Sequence, residues 1–321
     1  MEIREFADED YPALLAVHGA QGIAWPERPR TPEAWAEADR RRDPQHKHRR
    51  WVALENGDVV GVAGYAGHPW NYPPGSFYIA VEVLPAYQRR GIGSALYDQL
   101  MVDIRELAPP ALRADAFSHL PHGFEFLKKR GFFQAFRETP VRLDVAAFDP
   151  AAHADAVARP GREGIEIKTV AELQSDPARD RKLYELYCAI EEDVPHEGTG
   201  VPKPEYDDWL KWGLNDPDIL QDAYLVAVDG DEYVGLRELF TYSDEKTGMG
   251  GLLGGLLGIR RDHRKRGIAL ALQLRGISYA REHGYRFVKD CTAIQNAPMQ
   301  AMFNRLGFDR EAEWLQCQKD L

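Results

Sequence analysis

Two short stretches combine cations with a glycine in a way that could hold an anion. They are Gln88-Arg89-Arg90-Gly91-Ile92-Gly93-Ser94 and Arg264-Lys265-Arg266-Gly267-Ile268-Ala269-Leu270. Each follows a β-like run and opens a run of helical periodicity, Ile92–Leu107 in one case and Ile268–Glu282 in the other. A tight turn at a helix start gathers backbone N–H groups into a concavity, and the positive end of the helix dipole strengthens its hold on negative charge. Gly91 and Gly267 let the turn bend and let a phosphate come close, while the neighbouring Arg and Lys supply charge. A pyrophosphate is the natural ligand. Neither stretch has the spacing of a Walker phosphate loop or of a three-glycine dinucleotide fingerprint. A capped basic surface helix would carry the same residues, so the weight rests on there being two copies.

The elements around the two turns repeat as well. Lys129-Arg130-Gly131-Phe132 and Arg305-Leu306-Gly307-Phe308 lie forty residues after their turn glycines, and both pairs are offset by 176. Upstream, Ala53–Gly61 and Ala227–Gly235 each read as an apolar strand, a polar glycine turn and a second strand. The chain is therefore an approximate duplication of one α+β unit. The boundaries predicted are 1–146 for the first domain, 147–164 for an Ala/Asp/Pro/Gly-rich linker and 165–321 for the second. Helices are expected at Ala171–Ile190 and Pro204–Leu214, separate strands at Phe133–Phe136 and Thr139–Val145, and a terminal strand of the second domain near Glu313–Lys319. The glycine-rich run Gly248–Gly258 leads into the strand before the second turn. It reads either as backbone that a ligand can approach or as a flexible hairpin loop.

A strand, then Gln/Arg-x-x-Gly-x-Gly/Ala, a helix and a later Gly-Phe turn together resemble the GNAT superfamily of N-acetyltransferases, and the resemblance covers both halves. It implies two tandem GNAT folds, each a mixed, mostly antiparallel sheet flanked by helices, in the arrangement of the mycothiol synthase type. It implies acetyl-coenzyme A as co-substrate, with Gln88 to Ser94 and Arg264 to Leu270 at its pyrophosphate. Val83 and Ile259, each eight residues before its turn glycine, would lie on the strand whose backbone pairs with pantetheine and polarises the thioester. Asn296 matches a family position that contacts the cofactor, whereas the first half has Leu120 there. The family's proton-donating tyrosine is replaced by Leu127 and by Phe303. Tandem members commonly keep the C-terminal site active, so the resemblance favours the second half.

An acceptor amine must lose a proton before it attacks a thioester, which calls for a carboxylate within reach. Glu82, just before the first turn, and Glu238, on the preceding strand of the second half, are the candidates; a solvated strand residue is the alternative for each. Gly258 stands where Glu82 would be repeated, so the halves cannot share a base there. His46, His48, His119 and His122 are not accompanied by Cys or carboxylates at ligand spacing, and no metal is expected.

Composition narrows the partners. The 321 residues carry 40 basic and 51 acidic side chains, a net charge of −11, which is the wrong sign for a nucleic-acid binder. No apolar run is long enough to cross a bilayer, no basic-then-apolar leader is visible, and three cysteines fit a reducing compartment, so a cytoplasmic protein is expected. From Glu185 to Asp222 eleven acids face two bases, a balance of −9, whereas Tyr11 to Arg50 balances at +3. If these windows line acceptor sites, the second half would draw a small cationic amine by electrostatic steering; a solvated helix pair is the alternative. The two function classes are thus an N-acetyltransferase working by direct attack of the amine and a non-catalytic acyl-coenzyme A sensor.

Overall fold

The computed structural model describes all residues except 22–30, 43, 68–74, 196–202, 217–218 and 244–249. Glu27, Arg28, Arg30 and Asp43 of the basic window, Glu197 and Asp218 of the acidic one, and Gly248 and Met249 of the glycine run lie outside the described residues. The chain divides into two compact units, Met1–Phe136 with Trp314–Leu321, and Arg137–Glu313.

In the first unit, β1 (Glu2–Glu5), β2 (His48–Glu55), β3 (Asp58–Gly67) and β4 (Phe77–Val83) pair antiparallel in sequence order. Helices α1 (Tyr11–Gly19) and α2 (Pro32–Arg40) fall between β1 and β2, and α3 (Ile92–Leu107) follows β4. Strand β5 (Ala111–Phe117) then lies parallel to β4, and α4 (Pro121–Lys128) leads into β6 (Phe133–Asp144). A core of β-strand Val, Ile and Ala with Leu96, Leu100 and Ile104 of α3 buries the apolar stripe that predicted this helix.

The second unit repeats the order: α5 (Ala154–Arg162), β7 (Ile165–Thr169), α6 (Arg179–Glu191), α7 (Tyr206–Trp209), β8 (Leu225–Asp229), β9 (Glu232–Ser243) and β10 (Gly250–Ile259). After these come α8 (Ile268–Glu282), β11 (Phe287–Ala293), α9 (Ala297–Leu306), the two-residue β12 (Asp309–Arg310) and β13 (Trp314–Asp320). Strands β7 to β10 are antiparallel, β10 and β11 parallel, and β6 pairs antiparallel with both β11 and β12. Each unit is thus an α+β fold with a mixed, mostly antiparallel sheet and one parallel junction.

The sequence boundaries differ from these units at the chain's end and in its middle. Strand β13 belongs to the first unit, where all seven residues pair antiparallel with β5, from Trp314 against Phe117 to Asp320 against Ala111. Leu315 and Cys317 are buried in that core. A strand's apolar alternation states which face is covered but not which sheet it joins, so a seven-residue strand near the end of the second half looked like that half's own. The predicted strands at Phe133–Phe136 and Thr139–Val145 are one strand, β6, whose later part enters the second unit. The expected linker contains α5, which docks on α8 through Ala156 and Val157. Helix α6 begins at Arg179 rather than at Ala171 because Pro177 disfavours helix in the residue before it, and Asp176 instead accepts from Ala178 N at 2.9 Å. The helix expected at Pro204–Leu214 is a single α turn, α7, followed by a wider turn over Leu210–Leu214.

Candidate active site

In both units the parallel strands separate almost as soon as they have met. Strands β4 and β5 pair only at Phe77 with Leu112 and Tyr78 with Arg113, and β10 and β11 only at Leu252 with Val288 and Leu253 with Lys289. Beyond these points each sheet opens into a cleft, of about 640 Å³ in the first unit and about 680 Å³ in the second. Leu84 N donates to Val60 O and Arg260 N to Val234 O. By the alternation of a strand, the N–H groups of Val81 and Val83, and of Leu257 and Ile259, therefore turn to the open edge.

The two glycine turns superpose in conformation as well as in sequence. Gly91 and Gly267 are left-handed at φ 87° and 81°, and so are the non-glycine residues two places earlier, Arg89 at 64° and Lys265 at 66°. A non-glycine residue in this region is uncommon and marks a turn held by its surroundings. At the turn entrance, Gln88 Nε2 donates to Val83 O at 3.0 Å and Arg264 Nε to Ile259 O at 3.1 Å, so these side chains brace the strand end. Gln88, Arg89, Gly91, Gly93 and Ser94 line the first cleft, and Arg264, Lys265, Gly267, Ile268, Ala269 and Leu270 the second. Ile92 is a core residue. Arg90 stacks on Tyr87 with its carbon 5.1 Å from the ring centre, and Arg266 bonds Glu163 at 2.8 Å and Asp229 at 3.0 Å; neither arginine lines its cleft.

The two carboxylates differ sharply in setting. Glu82 lines the first cleft beside Val83, and Nδ1 of the buried His18 on α1 lies 3.2 Å from each of its oxygens. Glu238 does not line the second cleft. It is buried on β9 opposite a bulge in β10 between Gly254 and Leu257, accepting from Leu256 N at 2.8 Å and from the Tyr224 hydroxyl at 3.2 Å. Burial pushes its pKa up to about 7 even though both donors favour the charged form. Its neighbour Arg237 holds the same bulge from the other face of the sheet. Arg237 Nη1 donates to Gly255 O at 3.3 Å and Nη2 to Asp290 of β11 at 2.7 Å, and Gln273 of α8 also donates to that carboxylate at 3.1 Å.

The glycines of β10 make room for protein rather than ligand. A Cβ at Gly251 would lie 2.2 Å from the Phe287 ring, at Gly254 2.0 Å from Asp290 Oδ1, at Gly255 2.7 Å from Glu238 Oε2 and at Gly258 2.1 Å from Ile190 Cγ2. Gly258 is the counterpart of Glu82, so Ile190 of α6 fills the space beside the strand that the acid uses in the first unit.

A family model described as acetyltransferase (GNAT) family matches residues 3–132 and again 181–308. The chain belongs to the GNAT acetyltransferase family. Among solved structures, a GCN5-related N-acetyltransferase from Sphaerobacter thermophilus is 21% identical with a TM-score of 0.68 over 99% of this chain and 95% of that one. A tandem GNAT protein from the clavulanic acid biosynthesis pathway is 20% identical at 0.69 over 99% and 98%. A glucosamine N-acetyltransferase region in a fungal multi-domain β-N-acetylglucosaminidase is 16% identical at 0.68, over 99% of this chain and 38% of that larger one. These likenesses establish the tandem fold. No curated protein matches the chain significantly.

As a GNAT protein, the chain belongs to a family of acyltransferases that use acetyl-coenzyme A as co-substrate. Where the resemblance places a tyrosine, neither residue has a hydroxyl to donate: Leu127 lines the first cleft, and Phe303 is buried in the second unit's core. Asn296 lines the second cleft and caps α9, accepting from Met299 N at 3.4 Å. Two residues of this candidate site escaped the sequence reading. His18 sits on α1 at the spacing of Leu14 and Val17, so a polar residue on an otherwise buried face was its signal. Arg130 lines the first cleft through contacts that only the fold creates. Among the described residues no helix is long and apolar enough to cross a membrane.

Proposed function

We propose that the first unit transfers the acetyl group of acetyl-coenzyme A to a primary amine by direct attack, with Glu82 as the base. The observation that carries this reading is the position of Glu82, a carboxylate lining the open-edged cleft and bracketed by His18 Nδ1. Fit for the co-substrate rests on the left-handed pair Arg89 and Gly91, on the helix start with Ser94, and on the cleft of about 640 Å³ lined by β4, β5 and this turn. When bound, acetyl-coenzyme A supplies an acetyl group already activated as a thioester.

The protein's own residues then have separate tasks. The N–H groups of Val81 and Val83 face the open edge, where fixed dipoles can polarise a carbonyl. Glu82 accepts a proton from the incoming ammonium, directly or through one water, and His18 fixes the carboxylate's orientation. With Leu127 in place of a tyrosine, solvent supplies the proton to the departing sulfur; a thiol of pKa about 8.5 leaves readily enough for this. None of the three cysteines lines either cleft, in keeping with a route that has no acyl-enzyme.

The sequence favoured the second unit as the working site, and the geometry favours the first. Glu238 is committed to Leu256 N and Tyr224, and Ile190 covers the position of Glu82. The second unit fits the alternative role of a donor-binding sensor, because its turn is retained while its carboxylate is spent on the sheet. Of the acidic window beside it, Asp193 pairs with Arg261 and Arg264, and Glu192 with Lys203 at 2.8 Å, so part of that charge is neutralised internally. The small-molecule acceptor amine is cationic on this reading, which is tested by turnover of cationic and neutral amines. Release of free thiol on adding an amine marks the enzyme, whereas a sensor binds acetyl-coenzyme A and releases none.

A further inference from the structure

Arg130 faces the first cleft without an ion-pair partner among the described residues. It follows α4, and its guanidinium carbon lies 3.5 Å from the centre of the Phe126 ring and 4.8 Å from that of Tyr97. Nη1 donates to Phe126 O at 3.1 Å and Nη2 to Ser94 Oγ at 2.8 Å. Ser94 stands in the first turn of α3, directly after the Gly91 turn, and both Arg130 and Ser94 line the cleft. Among the described residues no carboxylate forms an ion pair with Arg130. Burial lowers its pKa, as expected for a cation partly stripped of water by two rings. Asp98 acts on it through space but makes no hydrogen bond to it, and a planar guanidinium with N–H groups left over suits a phosphate's paired oxygens.

The second unit offers the contrast. Counted from the turn glycine, the places of Ser94 and Arg130 are taken by Leu270 and Leu306. The turn cations are paired in both units, Arg90 with Glu55 in the first and Arg264 with Asp193 and Arg266 with Glu163 and Asp229 in the second, so the difference lies in Arg130, which has no cationic counterpart there.

We infer that Arg130, steadied by Ser94 and Phe126, is a binding residue for the pyrophosphate of acetyl-coenzyme A in the first unit and makes that unit the tighter donor site. This rests on the reading that the first unit binds acetyl-coenzyme A. The test is calorimetric titration of the full chain in a Gly267→Trp background, which removes the second turn's own affinity. Acetyl-coenzyme A and acetyl-pantetheine, which lacks the nucleotide and pyrophosphate, are titrated against the unaltered first unit, Arg130→Lys and Arg130→Met. Arg130→Met should weaken acetyl-coenzyme A about tenfold to a hundredfold, Arg130→Lys by less, and neither should change the affinity for acetyl-pantetheine. Equal affinity of all three proteins for acetyl-coenzyme A would overturn the assignment. So would a parallel loss for acetyl-pantetheine, which would make Arg130 a packing residue for Phe126 and Tyr97. If acetyl-coenzyme A does not bind the unaltered first unit at all, the transferase reading fails before Arg130 is changed.

Discussion

In the first unit Arg89 and Arg130 face a cleft with no ion-pair partner among the described residues, and the acid beside the open strand, Glu82, is held by a histidine. In the second, Arg264 and Arg266 are tied to Asp193, Glu163 and Asp229, Leu306 stands in place of Arg130, and the acid is buried against a bulge that it helps to hold. The two clefts share a turn whose φ values agree within a few degrees, so the turn alone cannot explain their chemistry. After a duplication, a glycine turn can persist while the polar groups around it are redirected from the cleft into the fold. Arg237, Glu238 and Asp290 are the clearest case: three ionisable residues brace β10 and β11, where the corresponding strands of the first unit pack Ile79 and Ala114 and are joined by a hydrogen bond from Tyr78 to Asp115.

The largest expected effect comes from the turns themselves. Gly91→Trp should abolish acetyl-coenzyme A binding to the first unit, and Gly267→Trp to the second, since a side chain at φ near +80° is strained and its bulk would fill the phosphate concavity. Titration of each variant reads the two sites separately, and unchanged binding in both would break the comparison at its root. Next comes the buried ion pair. Arg237→Ala strands Asp290 and should cost about 3–5 kcal/mol in the second unit's stability, seen by denaturant titration, whereas replacing both partners with leucine should cost far less.

A pH effect of smaller size separates the two acids. Glu238 has a folded pKa of about 7 against an ordinary 4.5, so the folded state holds its proton more tightly than the unfolded chain does. The stabilisation this gives is full below about pH 4.5 and is lost as the pH rises toward 7. Glu238→Gln should therefore shrink the loss of stability between pH 5 and pH 8 by on the order of 2 kcal/mol, read from amide exchange of β9 and β10. The smallest effect belongs to Asp193, whose pKa is held down to about 2 chiefly by its hydrogen bond from Arg261. Its partners are exposed, so Asp193→Ala should lower Tm by no more than roughly 2 °C and less at high salt.

Much of this was legible in the sequence, because the duplication left its mark at fixed offsets and the turns depend on local residues. Strands β4 and β10, helices α3 and α8 and the position of Glu82 follow from periodicity and spacing. What was hidden depends on residues far apart in the chain. His18 and Glu82 are 64 positions apart, Arg130 and Ser94 are 36 apart, and Arg237 and Asp290 are 53 apart. The glycine run misled for a related reason: a missing side chain shows that something comes close, not whether it is ligand or protein. The return of β13 to β5 was invisible because a strand's own residues do not name its neighbour.

The central claim, that the first unit performs the transfer through Glu82, is tested most directly by single-turnover acetyl transfer in Glu82→Gln and Glu238→Gln proteins saturated with acetyl-coenzyme A. Glu82→Gln should slow the step by about 10²–10⁴-fold with donor affinity unchanged, and Glu238→Gln should leave it within a few-fold of the unaltered rate. The reverse pattern, a rate that survives Glu82→Gln and collapses with Glu238→Gln, would move the chemistry to the second unit and contradict the account.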